Sequence, residues 1–236
     1  MPGFGFIDPT YICFMAPAFI LMIAVQWYVS SAYKKWSQVP ASSRYTGGQA
    51  AQRLLSSNGL YEVNIEGVRG HLSDHYDPSK KVLRLSEGVF TNSSVAALAI
   101  TAHEIGHAMQ DRDAYFPLKL RAALVPAVNI GSYLGWILLV ISFFLRSAEL
   151  GWLGLAIFSL GAIFALATLP VELNASRRAR ELLVENGMIT NDTEMRGVNH
   201  VLNAAAMTYV AALITAVLQI LYFATALFGM GGRRRD

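Results

Sequence analysis

The segment His103-Glu104-Ile105-Gly106-His107 has the residue types and the spacing of a metal-dependent hydrolase centre. On a helix, residues four apart lie on one face, with their Cβ atoms about 5–6 Å apart. Two imidazoles in this arrangement can converge on one Zn²⁺ ion at about 2.0–2.1 Å. Glu104 points slightly off that face, where it can reach a metal-bound water rather than the metal, which suits a general base.

The surroundings of this motif favour the functional interpretation. Glu104 is the only charged residue between Val95 and Met109. A helix that is apolar on nearly every face is usually buried. Burying a glutamate and two imidazoles without partners would cost on the order of several kcal/mol, and a metal ion with its water would supply those partners. The alternative is a helix with two hydrogen-bonded histidines and one surface glutamate.

A catalytic zinc site needs a third protein ligand besides the two histidines. The one cysteine, Cys13, lies in an apolar run, so neither an internal disulfide nor a thiolate zinc site is expected. Glu172 is the predicted third ligand, because it directly follows a long apolar stretch that returns to the side of the motif. Ser176, one helical turn later, is expected to hydrogen-bond a ligand histidine. Glu181 and Glu185 are competing candidates on an arginine-rich face.

Two further histidines lie in a polar cluster, His71-Leu72-Ser73-Asp74-His75-Tyr76-Asp77. Its functional interpretation is that His71 or His75 contacts the substrate or stabilises an oxyanion. Its structural alternative is a polar turn built on Asp-Pro chemistry.

The composition of the 236-residue chain predicts a membrane protein. Hydrophobic residues make up 54% and charged residues 15%, against about 45–50% and about 25% in soluble domains. The formal charge is only +3 and the basic residues flank apolar runs, so nucleic acid is not expected as a partner. Four stretches are long enough to cross a bilayer, which needs about 20 apolar residues: Tyr11–Ser30, Ala122–Leu145, Leu150–Val171 and Ala205–Gly229.

The short link Arg146–Glu149 forces the second and third spans into a tight hairpin, so the two polar segments 34–121 and 172–200 share one side. Most of the 19 lysines and arginines lie in these segments. The positive-inside rule therefore predicts that both face the cytoplasm and that both termini lie outside. The basic tail Arg233–Arg235 opposes that placement of the C-terminus.

Local signals predict the elements around the motif. These are a helix Gly47–Ser57 capped by Thr46, strands Tyr61–Glu66 and Lys81–Ser86, a helix from Val95 to about Gln110, and a helix Val171–Val184 that begins after Pro170.

At these residues the chain resembles the bacterial membrane neutral zinc metallopeptidases of the YugP type. The likeness extends over nearly the whole chain, and the stretches that carry it are Gly70–Pro78, Lys81–Gly88, Ala102–His107, Pro170–Glu172 with Ala175–Arg178, and Ala204–Ala212. The resemblance implies a zinc-dependent peptidase with His103 and His107 as ligands and Glu104 as the catalytic carboxylate.

The chain is more remotely similar to the HtpX and CAAX prenyl protease clan, in which the third ligand is the glutamate of a Glu-x-x-Ala-Asp pattern. The corresponding residues here are Glu172, Ala175 and Ser176. The glutamate carries over as a ligand, and a serine replaces the aspartate. In that clan a strand before the zinc helix pairs with the substrate backbone, so Val82–Ser86 would be an edge strand.

The sequence therefore predicts a mainly α, polytopic helical membrane protein of about four spans with a small α+β zincin-like metalloprotease subdomain. Five domains are expected. They are an N-terminal transmembrane helix (1–33), a cytosolic metalloprotease subdomain (34–121), a transmembrane hairpin (122–171), a cytosolic helix with the third zinc ligand (172–204), and a C-terminal transmembrane helix with its basic tail (205–236).

The expected function is that of a zinc-dependent endopeptidase of the bacterial inner membrane, with one Zn²⁺ per chain. A zinc-activated water would hydrolyse peptide bonds of a membrane-associated polypeptide on the cytoplasmic side. The alternative is a membrane scaffold or chaperone with a structural metal, which would need a fourth protein ligand such as His71 or His75. A metal transporter is disfavoured because the spans offer few polar residues.

Overall fold

The structure, a computed structural model, describes residues 9–70 and 73–232 and is mainly helical. In chain order its elements are α1 (Pro9–Trp36), α2 (Gly47–Ser57), β1 (Asn64–Val68), β2 (His75–Asp77), β3 (Val82–Ser86), α3 (Glu87–Phe90), α4 (Val95–Arg112), α5 (Phe116–Leu145), α6 (Ala148–Phe158), α7 (Leu160–Glu185) and α8 (Asp192–Gly232). Within the described ranges, four helical stretches are long and apolar enough to cross a membrane: Pro9–Trp36, Phe116–Leu145, Ala148–Glu185 and Asp192–Met230. The predicted fold class, a mainly α polytopic membrane protein, is confirmed.

The chain divides into two compact units. The membrane unit comprises Met1–Val25, Lys119–Leu169 and Thr208–Asp236, and the site unit comprises Gln26–Leu118 and Pro170–Met207.

In the membrane unit, α5 and α6 form the hairpin that the short link predicts. Ser147 caps α6 by accepting a hydrogen bond from the Leu150 N–H over 3.3 Å. A Cβ atom added to Gly135 would lie 2.6 Å from the Phe158 nitrogen, and one added to Gly154 would lie 3.0 Å from the Gly135 carbonyl oxygen. These two glycines therefore allow the backbones of the two helices to approach closely.

The third apolar stretch continues further than predicted. A new helix was expected to begin at Val171, but α7 runs without a break from Leu160 through Pro170 to Glu185. One proline removes a single backbone hydrogen bond, and the alanine- and leucine-rich flanks favour helix on both sides. Glu172 therefore lies inside a helix and not at a helix start, so attraction to the positive end of a helix dipole does not account for a carboxylate at this position.

The site unit contains a three-stranded sheet in the order β1-β3-β2. β1 pairs parallel to β3 and β2 pairs antiparallel to it, with Tyr76 opposite Leu83. The expectation that Val82–Ser86 is an edge strand is wrong, because β3 is the central strand. The missed strand, His75–Asp77, has three residues and precedes an Asp-Pro turn, so its alternation is too short to detect.

Helix α4 is the centre of the hydrophobic core of the site unit. The largest fully buried side chains of this core come from five elements and two loops: Leu54, Leu60, Leu83, Leu85, Leu98, Ile105, Leu182, Leu183, Met188 and Leu202. Helix α2 begins as predicted, because Thr46 accepts from the Gln49 N–H and the Gln49 side chain accepts from the Thr46 N–H. The core thus holds α4 against the sheet on one side and against α7 on another.

Candidate metal centre

Two helices of the site unit bring His103, His107 and Glu172 together. Helix α4 presents the two imidazoles one turn apart, with ring centroids 4.8 Å from each other. Helix α7 supplies Glu172, whose Oε2 lies 3.2 Å from Nε2 of His103 and 3.6 Å from Nε2 of His107. One ligand atom from each of the three residues lies within 4.8 Å of the others.

This geometry fits a metal ion. Two atoms bound to a tetrahedral Zn²⁺ at about 2.0–2.1 Å are about 3.3 Å apart, close to both nitrogen–oxygen distances given above. The carboxylate side chain is 4% exposed and each histidine side chain is 13% exposed, so water reaches the group from a limited direction. Two imidazoles and a carboxylate are a donor set that Zn²⁺ and related divalent ions accept.

The outer ring nitrogens of both histidines also have partners. Ser176 Oγ lies 3.2 Å from Nδ1 of His103, and Gln110 Oε1 lies 3.0 Å from Nδ1 of His107. An imidazole that donates its Nδ1–H to such a partner presents the lone pair of Nε2. Both Nε2 atoms face Glu172, so the two rings are oriented as metal ligands would be.

Glu104 lies beside the trio and is half-buried. Its Oε2 accepts a hydrogen bond from the backbone N–H of Tyr76 in β2 over 3.0 Å. Burial raises the pKa of Glu104, and the charges of His107 and His103 oppose this only in part. The carboxylate therefore holds a proton more readily than an exposed glutamate does.

Comparison with known proteins adds to this geometry. A family model described as "Putative neutral zinc metallopeptidase" matches residues 11–228. The chain belongs to this family. It is also 46% identical over 198 residues to "Putative membrane protease YugP" of Bacillus subtilis (strain 168), an alignment that covers 84% of this chain and 88% of the relative. No solved structure matches the chain. The family that the motifs indicate is confirmed.

In this member of the zinc metallopeptidase family, His75 is not grouped with the trio. It is exposed, its Nδ1 lies 2.9 Å from the Ser73 carbonyl oxygen, and its Nε2 lies 3.3 Å from a guanidinium nitrogen of Arg84. Both ring nitrogens have partners outside the trio, so the expected oxyanion role of His75 has no support in this placement. His71, the other histidine proposed for that role, lies outside the described residues.

The competing ligand Glu181 is also separate from the centre. Its side chain is 52% exposed and lies 4.0 Å from Arg177. Among residues 9–70 and 73–232, the group of His, Cys, Asp and Glu side chains that could hold a metal ion is the trio of His103, His107 and Glu172.

Several polar contacts support the family's motif, and one of their members, Asp111, was not indicated by any motif in the sequence. Asp74 accepts from the Ser86 N–H over 2.7 Å, which ties the start of β2 to the end of β3. The Tyr76 hydroxyl donates to Asp111 over 2.8 Å, and Lys81 Nζ lies 2.6 Å from the same carboxylate. Burial and then the Asp111 hydrogen bond raise the pKa of Tyr76, so it remains a donor. These contacts hold β2 against α4.

Gly106, between the two histidines, lets α4 and α7 approach each other. A Cβ atom at this position would lie 2.6 Å from the Ala175 carbonyl oxygen and 3.1 Å from its Cα. Real side chains essentially never approach so closely, so glycine is required for this spacing.

Proposed function

We propose that the protein is a membrane-bound zinc metalloendopeptidase whose active site is formed by α4, α7 and β2. The observation that carries the proposal is the convergence of the two Nε2 atoms and the Glu172 carboxylate, with Glu104 one residue from the first ligand. Membership of a zinc metallopeptidase family and the name of the Bacillus subtilis relative support it.

The trio would hold one Zn²⁺, which supplies a Lewis acid for the scissile carbonyl and lowers the pKa of a bound water. Glu104 takes a proton from the attacking water and passes it to the leaving amine as the C–N bond breaks. Two features of Glu104 support this role: burial raises its pKa, and the Tyr76 N–H fixes the position of one of its oxygens.

The substrate class that the site unit favours is an extended polypeptide bound beside β2. Strand β3 is covered on both sides by β1 and β2, so it has no free edge at Val82–Arg84. β2 is an edge strand, and its Tyr76 N–H is directed at Glu104, away from β3. A peptide that adds to this edge would have its backbone next to the catalytic carboxylate.

The proposed setting is the cytoplasmic side of a membrane. Four apolar helical stretches support a multi-pass protein, and the lysines and arginines of the polar segments support a cytoplasmic orientation. The substrate would then be a membrane-associated polypeptide.

The experiment that tests the proposal measures zinc content and cleavage of an unfolded polypeptide by purified wild type, Glu172→Ala and Glu181→Ala. Both glutamates lie on α7, but only Glu172 reaches the histidines. We expect about one zinc per chain and chelator-sensitive cleavage in the wild type and in Glu181→Ala, and loss of both in Glu172→Ala. Retained zinc in Glu172→Ala would remove the third ligand, and zinc without cleavage would favour a structural metal.

A further inference from the structure

The side chain of Gln110, in the last turn of α4, connects one histidine to the helix that carries the carboxylate. It is fully buried. Its Oε1 lies 3.0 Å from Nδ1 of His107. Its Nε2 donates to the backbone carbonyl of Val171 over 2.8 Å and to Oδ1 of Asn174 over 3.0 Å.

The orientation of the Gln110 amide group follows from the hydrogen bonds of its partner Asn174. An arginine side chain can only donate hydrogen bonds, and Arg178 donates from Nε to Oδ1 of Asn174 over 3.0 Å. Arg178 is itself paired with Asp113 over 2.6 Å. The atom of Asn174 that faces Gln110 is therefore the carbonyl oxygen, an acceptor.

The orientation of the Gln110 amide group in turn determines which ring nitrogen of His107 carries the proton. Val171 and Asn174 both present acceptors, so Gln110 must turn its NH₂ group to them and its carbonyl oxygen to His107. An amide oxygen cannot donate, so Nδ1 of His107 must carry the proton. In the neutral ring this leaves the Nε2 lone pair facing Glu172.

His103 is under no such constraint. Its outer partner is the Ser176 hydroxyl, which can rotate and either donate or accept. The two histidines of the motif therefore differ, since only the ring of His107 has its protonation pattern imposed by a fixed partner.

We propose that Gln110 is a positioning residue with two roles. It fixes the tautomer of His107, and through the Val171 carbonyl it anchors α7 one residue before Glu172. The inference rests on the proposed metal-dependent function, and it assigns to one amide the orientation of one ligand ring and the attachment of the helix that carries the carboxylate.

The test compares the zinc dissociation constant and the unfolding temperature of the folded wild type, Gln110→Met, Gln110→Glu and Asn174→Ala. Gln110→Met has a similar shape but removes both sets of contacts. Gln110→Glu keeps an acceptor for the His107 Nδ1–H but replaces the NH₂ donors. Asn174→Ala keeps the His107 contact and the Val171 contact. The Glu104→Gln background prevents self-cleavage during the titration.

We expect Gln110→Met to weaken zinc binding about 10–100-fold, as losses of such partners do. Gln110→Glu should bind zinc more tightly than Gln110→Met, although its unfolding temperature falls as far. The zinc dissociation constant of Asn174→Ala should stay within a few-fold of the wild-type value. Metal affinity would then follow the His107 contact while thermal stability follows the contacts to α7, a separation that a merely structural role would not produce.

Several outcomes would overturn the inference. Zinc binding of Gln110→Met at the wild-type affinity contradicts it, and so does equal weakening in Gln110→Met and Gln110→Glu. Gln110→Met could fail to fold, and the comparison then uses Gln110→Glu and Asn174→Ala. Equal zinc affinity of these two variants at very different unfolding temperatures supports the inference. A loss of zinc affinity in Gln110→Glu as large as that in Glu172→Ala contradicts it. A wild type that binds no zinc would instead contradict the proposed function itself.

Discussion

The backbone N–H of Tyr76 donates a hydrogen bond to Oε2 of Glu104, with 3.0 Å between the nitrogen and the oxygen. The two residues are 28 positions apart in the chain. The Tyr76 hydroxyl is held by Asp111 on the same helix as Glu104. A three-residue strand therefore sets the position of the proposed general base.

The contribution of the Tyr76 N–H can be isolated by comparing Tyr76→Pro with Tyr76→Ala. Both variants lose the phenol ring, but only proline lacks the N–H, and proline is tolerated on an edge strand. A hydrogen bond to a charged group contributes about 1.5–3 kcal/mol. We therefore expect kcat of Tyr76→Pro to fall about 10–100-fold below that of Tyr76→Ala, at equal zinc content. Equal kcat in the two variants would show that the N–H does not position Glu104.

Replacement of Glu104 by glutamine should separate metal binding from hydrolysis. The amide cannot accept the proton of the attacking water, so we expect the rate of peptide cleavage to fall about 10²–10⁴-fold. The zinc content should be unchanged, because Glu104 is not one of the three residues proposed to hold the metal. Glu62→Gln, at an exposed position of the site unit, is the matched control. A fully active Glu104→Gln protein would contradict the mechanism.

Two substitutions of Ser176 test whether the hydrogen-bond partner of His103 Nδ1 affects zinc binding. Ser176→Ala removes the atom that lies 3.2 Å from Nδ1, and we expect zinc to dissociate about 10-fold more readily. Ser176→Asp restores the residue of the related clan, and its carboxylate should make the imidazole a stronger ligand and reverse the loss. Competition with a chromogenic chelator measures both effects. The same affinity in all three proteins would show that His103 needs no outer partner.

The membrane orientation can be tested with single cysteines. In a Cys13→Ser background, Glu62→Cys places a thiol in the site unit and Glu149→Cys places one in the first turn of α6, next to the link from α5. The positive-inside rule puts the first in the cytoplasm and the second outside. A membrane-impermeant maleimide should therefore label intact cells at position 149, and position 62 only after lysis. The reverse pattern would place the active site outside the cytoplasm.

The features that sequence alone predicted are those set by short-range rules. The cap at Thr46 and the pair His103/His107 depend on residues three or four apart, and the α5–α6 hairpin depends on a short link. Glu172 was predicted from its place after an apolar stretch and then from the family pattern. No short-range rule links it to its partner histidines, which are 69 and 65 positions away.

The missed features depend on pairing across the chain. Strand β2 exists because it pairs with β3, and three residues show no usable alternation. Gln110 has the pattern of an ordinary helical glutamine, and its role emerges only when Val171 and Asn174, 61 and 64 positions later, come within reach. The continuity of α7 through Pro170 shows that a local breaker can be outweighed by the helix on either side.

Gly106 binds no ligand, yet a single methyl group there would meet the Ala175 backbone. Because Gly106 has no side chain, the backbones of the two helices that carry the proposed ligands can pack directly against each other. Position 106, which supplies no donor atom to the motif, must therefore lack a Cβ atom in this chain. One added carbon atom there would disable the centre while every donor atom stayed in the sequence.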